Sequence, residues 1–208
     1  MSTMMKAAML ILLIAKVQSL SIPALYQSCL QSHPLATKAC TSAVLSTVSD
    51  VLCQRFEQKQ DRTRTRHVAL TGLVWSGPSA HYWYATLEAA LRHFVPGIAG
   101  LPGLGLRLLL DALVFSPITV FGYFVVRTLL EQGWRWEPIR TKLQTKWAPT
   151  VRGAWKFWPL VNVINFSVVP LPYRVLYVNV LSVFWTGYLT FVNSQGMSVS
   201  KKASSATA

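Results

Sequence analysis

Asp50, His81, Glu88 and Asp111 stand within or at the edge of apolar stretches. A charge at the centre of a bilayer is costly, so groups of this kind face partner side chains or water and often mark solute paths or proton relays. Asp50 does not stand alone. At about 100° per residue, Lys38, Ser42, Ser46, Ser49, Asp50 and Cys53 fall on one helical face. That face cannot point at lipid. It reads either as the lining of a polar, weakly selective path or as a packing surface, because small hydroxylated residues let helix backbones approach closely. No repeated carbonyl filter of an ion-specific pore is visible.

Gly77, His81, Glu88 and Arg92 form a second stripe, with Glu88 and Arg92 in the favourable i,i+4 order. His81 is the natural pH-responsive group, since its reference pKa is about 6.5. Asp111 has Arg107, one turn earlier, as its nearest partner along the chain. Arg174 follows Pro170 and Pro172; it either snorkels to headgroups or pairs with Asp111 or Glu88. Arg174→Gln is therefore expected to destabilise the protein more than Arg64→Gln, a change in a basic loop.

His81, Glu88 and Asp111 are also the residue types of a metal site or proton shuttle. However, the chain has no H-E-x-x-H, no G-x-S-x-G and no phosphate-cradling loop after a strand. We expect no enzyme, no metal and no cofactor. Cys29, Cys40 and Cys53 are odd in number and include no C-x-x-C pair, so they read as small packing residues.

The elements that must position these groups are apolar spans. Of 208 residues, 52% are hydrophobic and only 13% charged, about half the charged share of a soluble domain. Mean hydropathy is +0.36. Eight Trp and seven Tyr suit the headgroup boundary. Candidate spans cover residues 34–52, 68–91 and 106–130. The stretches 157–173 and 175–194 are separated by Arg174 alone, which leaves room for one span plus a shorter embedded helix. The expected fold is an all-α integral membrane protein, a bundle of about four transmembrane helices with additional short interfacial helices. Residues 1–25 read as an apolar N-terminal extension, 26–194 as the multispanning domain and 195–208 as a disordered tail.

The net charge of +13 gathers in the stretches 54–67 and 131–156, both read as loops. Four spans put both on one side, and the positive-inside rule then puts both termini on the other. Anionic lipid explains this basicity better than nucleic acid, for which no signature is present. The expected partners are the lipid bilayer and small solutes, with a homo-oligomer left open and no nucleic acid.

Four blocks carry a family resemblance. The first has Tyr26, His33-Pro34, Thr37-Lys38, then Asp50 and Gln54 in D-x-x-x-Q spacing. The second has Gly77-Pro78, His81, Trp83-Tyr84 and Leu87. The third is Asp111 with Ser116-Pro117. The fourth runs Trp147, Trp155, Trp158-Pro159, Asn165-Phe166, Val169-Pro170, Arg174, Trp185 and Tyr188-Leu189. In order and spacing these resemble the Mpv-seventeen family, which includes the peroxisomal membrane protein of twenty-two kilodaltons. Two departures stand out: Ala112 replaces a Gln after the third-block Asp, and Asn162 replaces a Gln after the Trp-Pro pair. The resemblance implies a small multispanning protein of the mitochondrial inner membrane or, alternatively, the peroxisomal membrane. It further implies a channel for small solutes that supports mitochondrial homeostasis; the alternative is a structural or assembly factor without transport. The candidate polar network is Lys38, Ser42, Ser46, Asp50, His81, Glu88, Arg92, Asp111, Asn162, Asn165 and Arg174.

Overall fold

Proline explains much of how this chain is shaped. Pro78, Pro117 and Pro149 each sit just after one widened helical turn: Gly72–Ser76, Asp111–Phe115 and Leu143–Trp147. A proline offers no N–H and its ring collides with the carbonyl four residues back. A single i→i+5 turn relieves that collision without ending the helix. Three long helices are built on this device, each continuing on both sides of its break.

The computed structural model describes residues 22–58, 60–98, 100–168, 177 and 180–193. No strand occurs among them, so the described fold is all-helical. The chain divides into two units, Met1–Lys38 and Ala39–Ala208. The first holds α1 (Ile22–Ser32) and the start of α2 (Pro34–Phe56), which opens with proline at its first helical position. The Thr37 hydroxyl ties the junction by donating to the carbonyls of Cys29 (2.9 Å) and His33 (2.8 Å).

The second unit holds the rest of α2, then α3 (residues 62–94), α4 (Gly100–Gln132), α5 (residues 136–167) and α6 (Val180–Asn193). Asp61 caps α3, its carboxylate accepting the Arg64 N–H at 2.9 Å. Gly133 ends α4 at φ 72°, a left-handed conformation that glycine adopts without cost. Among the described helices, α4, with 33 residues, is the one long and apolar enough to cross a membrane by length and composition. Buried Val120, Tyr123 and Phe124 of α4, Val151 of α5 and Leu189 of α6 form the apolar core.

The basic stretches differ from the sequence reading. Residues 62–67 and most of 136–156 are helix, not loop. Arg and Lys are good helix formers, and several of these charges are taken up by carboxylates on neighbouring helices, as described next. Arg64 in particular is buried and ion-paired, which removes it as an exposed reference for the Arg174→Gln comparison. Arg174 itself lies outside the described residues.

Candidate functional site

The break in α4 leaves a backbone carbonyl without its helical donor. The Ser116 N–H bonds to the Asp111 carbonyl, five residues back. The Ala112 carbonyl thereby loses its usual donor, and the next one along, Pro117, has no N–H. Trp155 of α5 supplies the missing bond, its indole donating to the Ala112 carbonyl at 2.6 Å. Three more indoles converge on the same segment. Trp83 of α3 donates to the Asp111 carboxylate at 3.1 Å, Trp147 of α5 to the Pro117 carbonyl at 3.0 Å and Trp75 of α3 to the Thr119 carbonyl at 3.0 Å. Trp75 also lies flat against Gly122: a Cβ there would come within 1.9 Å of its ring. Trp83 stacks on Phe115, with centroids 5.2 Å apart. A widened helical turn is thus held from both sides by rigid aromatic donors.

Beside this break is a cavity of about 30 Å³, lined among others by Asp111, Ser116, Trp155, Trp158, Pro159 and Asn162. At about 10–15 Å³ of such volume per water molecule, it has room for roughly two waters. Its polar atoms can exchange hydrogen bonds with a small polar guest.

A second polar centre lies where α2 ends, α3 begins, α4 ends and α5 begins. Asp50 is fully buried and receives three donors: Arg64 Nε at 2.9 Å, Gln54 Nε2 at 2.7 Å and the Thr65 hydroxyl at 2.8 Å. Arg64 also pairs with Glu57. Burial works against the charge on Arg64, but Glu57 and Asp50 outweigh it and hold the guanidinium above its ordinary pKa. Next to this cluster, Glu131 accepts from Arg127 Nε (2.5 Å), Lys142 Nζ (2.8 Å) and Asn193 Nδ2 (2.9 Å). Lys142 also donates to Asn193 Oδ1 at 2.9 Å, and Lys146 donates to the Val192 carbonyl at the end of α6. Cations at a helix C-terminus offset its exposed carbonyls. The two clusters touch where Arg127 Nη1 reaches the Arg64 carbonyl at 3.4 Å. His67, half-buried nearby and outside the apolar stretch that begins at Val68, is held below its ordinary pKa, first by burial and then by Arg127.

The structure thus distributes the candidate residues widely. Asp111 and Asn162 meet at the cavity. Ser42 and Ser46 face Gly72 of α3, where a Cβ would lie 2.8 Å from the Ser42 carbonyl and 2.9 Å from the Ser46 hydroxyl. Asp50 belongs to the ion cluster, and Lys38 is exposed in the first unit. Glu88 pairs with Arg107 of α4 at 3.1 Å, not with Arg92, whose Nε reaches only the Glu88 backbone carbonyl at 3.3 Å. Arg107 is consequently not the partner of Asp111; Trp83 and Tyr84 are. His81 is half-buried and sits edge-on to Tyr82. Arg174 and the side chain of Asn165 lie outside the described residues. Sequence reasoning missed Arg127, Glu131, Lys142 and Asn193 as a network. The available signal was Arg127–Glu131 at i,i+4 near the end of an apolar span.

Comparison with known proteins follows the same segments. A family model described as the Mpv17 / PMP22 family matches residues 128–190, which include Glu131, Lys142 and Trp155. Protein SYM1 of Gibberella zeae is 35% identical over 175 residues, covering 82% of this chain and 96% of that protein. Peroxisomal membrane protein 2 of Bos taurus is 33% identical over 173 residues, covering 79% and 85%. Protein SYM1 of Saccharomyces cerevisiae is 31% identical over 183 residues, covering 85% and 92%. No solved structure matches the chain.

Proposed function

The chain belongs to the Mpv17 / PMP22 family of organelle-membrane proteins, and from that premise we propose that it is a weakly selective channel for small solutes. The observation that carries this reading is the small cavity at the clamped break of α4, where Asp111, Ser116 and Asn162 join a mostly apolar lining. Irregular backbone at membrane depth is tolerated where it is enclosed by protein or lines a water-filled space, and discontinuous helices are a recurrent way to build solute sites at the midplane. Asp111, Ser116 and Asn162 offer a carboxylate, a hydroxyl and an amide, which suits tolerant recognition of small hydrophilic solutes. The ion clusters at one end of the second unit close the interior on that side. The apolar parts of the long helices α2, α3 (from Val68 onward), α4 and α5 are the spans of a four-span arrangement, with α6 as the shorter embedded helix. The protein resides in the mitochondrial inner membrane, consistent with its acid-free first 49 residues and its charge asymmetry. The peroxisomal membrane is the alternative, in keeping with the name of the bovine relative. We assign it no reaction and no cofactor.

A second reading has its own observation. Asp50, Arg64, Glu131 and Lys142 are all buried and mutually paired, as a structural or assembly factor of the membrane would require. Solute flux through purified protein in liposomes separates the two. Flux altered by Asp111→Asn, in a variant that still folds, supports the channel. Absence of flux from folded wild type, across a range of small solutes and pH values, overturns it in favour of the structural role.

A further inference from the structure

The basic residues at the ion-clustered end fall into two populations. Arg64, Arg127 and Lys142 are buried and consumed by carboxylates. Arg55, Arg62, Arg135 and Arg140, in the same basic stretches of the chain, are exposed. Among the described residues none of these four guanidinium groups takes part in an ion pair. The neighbouring carboxylates are committed elsewhere: Glu57 to Arg64, Glu131 to Arg127 and Lys142, and Asp61 to the cap of α3. Exposed Glu137 is the remaining acid in the first turn of α5.

Large aromatic side chains stand among these free cations. Trp134 is 90% exposed, Trp136 65% and Phe56 88%. Trp134 and Trp136 flank Arg135 in the short α4–α5 connection, and Phe56 follows Arg55 at the end of α2. The contacts between Arg127 and the Arg64 carbonyl, Glu131 and Lys142, and Gln54 and the Asp61 carbonyl (3.0 Å) bring these helix ends together. The result is one surface, within the second unit, that combines unpaired guanidinium groups with exposed indoles.

We propose that this surface binds the headgroups of anionic phospholipids, with Arg55, Arg62, Arg135 and Arg140 engaging phosphate and Trp134 and Trp136 seated at the headgroup boundary. Guanidinium groups match phosphate oxygens with two parallel donors. Indoles favour the membrane interface because an apolar ring and a polar N–H can each meet their preferred surroundings there. Nucleic acid would also attract free arginines. The adjoining apolar faces of α2 and α4, with Val48, Leu52, Ile118 and Phe121 exposed, place the surface at the rim of a bilayer instead. The lipid would then fix the depth at which the ion clusters sit.

The test uses the full chain purified in a nonionic detergent and exposed to equal amounts of phosphatidylglycerol and phosphatidylcholine. Native mass spectrometry counts the lipid retained. Each headgroup-facing arginine is worth about fivefold in affinity, so wild type is expected to retain phosphatidylglycerol preferentially. The combined variant Arg55→Gln, Arg62→Gln, Arg135→Gln, Arg140→Gln is expected to lose more than about tenfold of that preference. All four side chains are exposed, and an unchanged melting temperature in detergent verifies the fold of the variant. A control variant, Arg152→Gln with Lys156→Gln on α5, is expected to keep the preference. Equal retention of both lipids by wild type, or a preference that survives the fourfold change, overturns the proposal. So does tighter binding of a DNA or RNA oligonucleotide than of phosphatidylglycerol at physiological salt, which would assign the surface to nucleic acid.

Discussion

Asp50 and Asp111 are both aspartates set in apolar sequence, yet their surroundings are opposite. Asp50 is fully buried and bears three donors including a guanidinium. Asp111 is half-buried, receives one indole donor at 3.1 Å and opens on a cavity. The difference comes from what the next helix brings. The start of α3 delivers the Arg64 cation and Thr65 to Asp50, whereas the middle of α3 brings only uncharged donors, Trp83 and Tyr84, to Asp111. A saturated carboxylate is a fastener. A carboxylate with spare acceptor capacity beside a cavity remains available to a guest.

The sharpest way to break the contrast is Arg64→Gln. It strands Asp50 and Glu57 without their cation, and losing one partner of a buried pair costs about 3–5 kcal/mol. Chemical unfolding in detergent should show that loss, and accumulation of a fully stable variant would mean that Asp50 is not held as described. Next in size is Gly122→Ala. Its methyl group must displace the Trp75 ring, and overpacking of this kind costs about 1–3 kcal/mol. A shift in melting temperature reads the effect, and Trp75→Leu in the same chain should recover part of it. Trp155→Phe keeps an aromatic ring, though a smaller one, and removes the donor to the Ala112 carbonyl, and a loss of about 1 kcal/mol is expected. Asp111→Asn should cost no more than that, because an amide oxygen still accepts from Trp83. A loss as large as that of Arg64→Gln would erase the distinction between the two aspartates.

The smallest effect concerns pH. His67 has a folded pKa below its unfolded value of about 6.5. Above that value the imidazole is neutral in both states and makes no difference. As pH falls through it, the unfolded chain takes up a proton more readily, so stability declines. The decline between pH 7 and pH 5 should be shallower in His67→Gln than in wild type, as judged by melting temperature.

Sequence reading recovered what is local and lost what is long-range. Helical character follows from spacing within one helix, whereas the Asp50–Gln54 bond sits at an i,i+4 spacing that is read only as part of a family motif. A break near Gly77-Pro78 is legible because proline's missing donor is a property of the residue itself, but the break at Ser116-Pro117 lies inside a stretch read as one uninterrupted span. Glu88 was assigned to Arg92 by i,i+4 spacing, but Arg107 approaches from α4 and forms the pair instead. The network of Glu131, Lys142 and Asn193 joins three separate helices, and no periodicity in a single chain encodes which helix ends meet. Basic residues counted as loop charges proved to include Arg64 and Lys142, because sequence alone does not distinguish a cation facing headgroups from one facing a hidden carboxylate. Composition records the number of charges but not their partners.

The position of Asn193 has a consequence for biogenesis. A polypeptide is made from its N-terminus onward, so Glu131 and Lys142 exist as a pair well before Asn193 is synthesised. Until α6 arrives, the amide that bonds both of them is missing and the lysines have no α6 terminus to offset. Assembly of this membrane domain is therefore completed from its C-terminal side, and a nascent chain waiting for that helix would present its buried charges to whatever insertion machinery holds it.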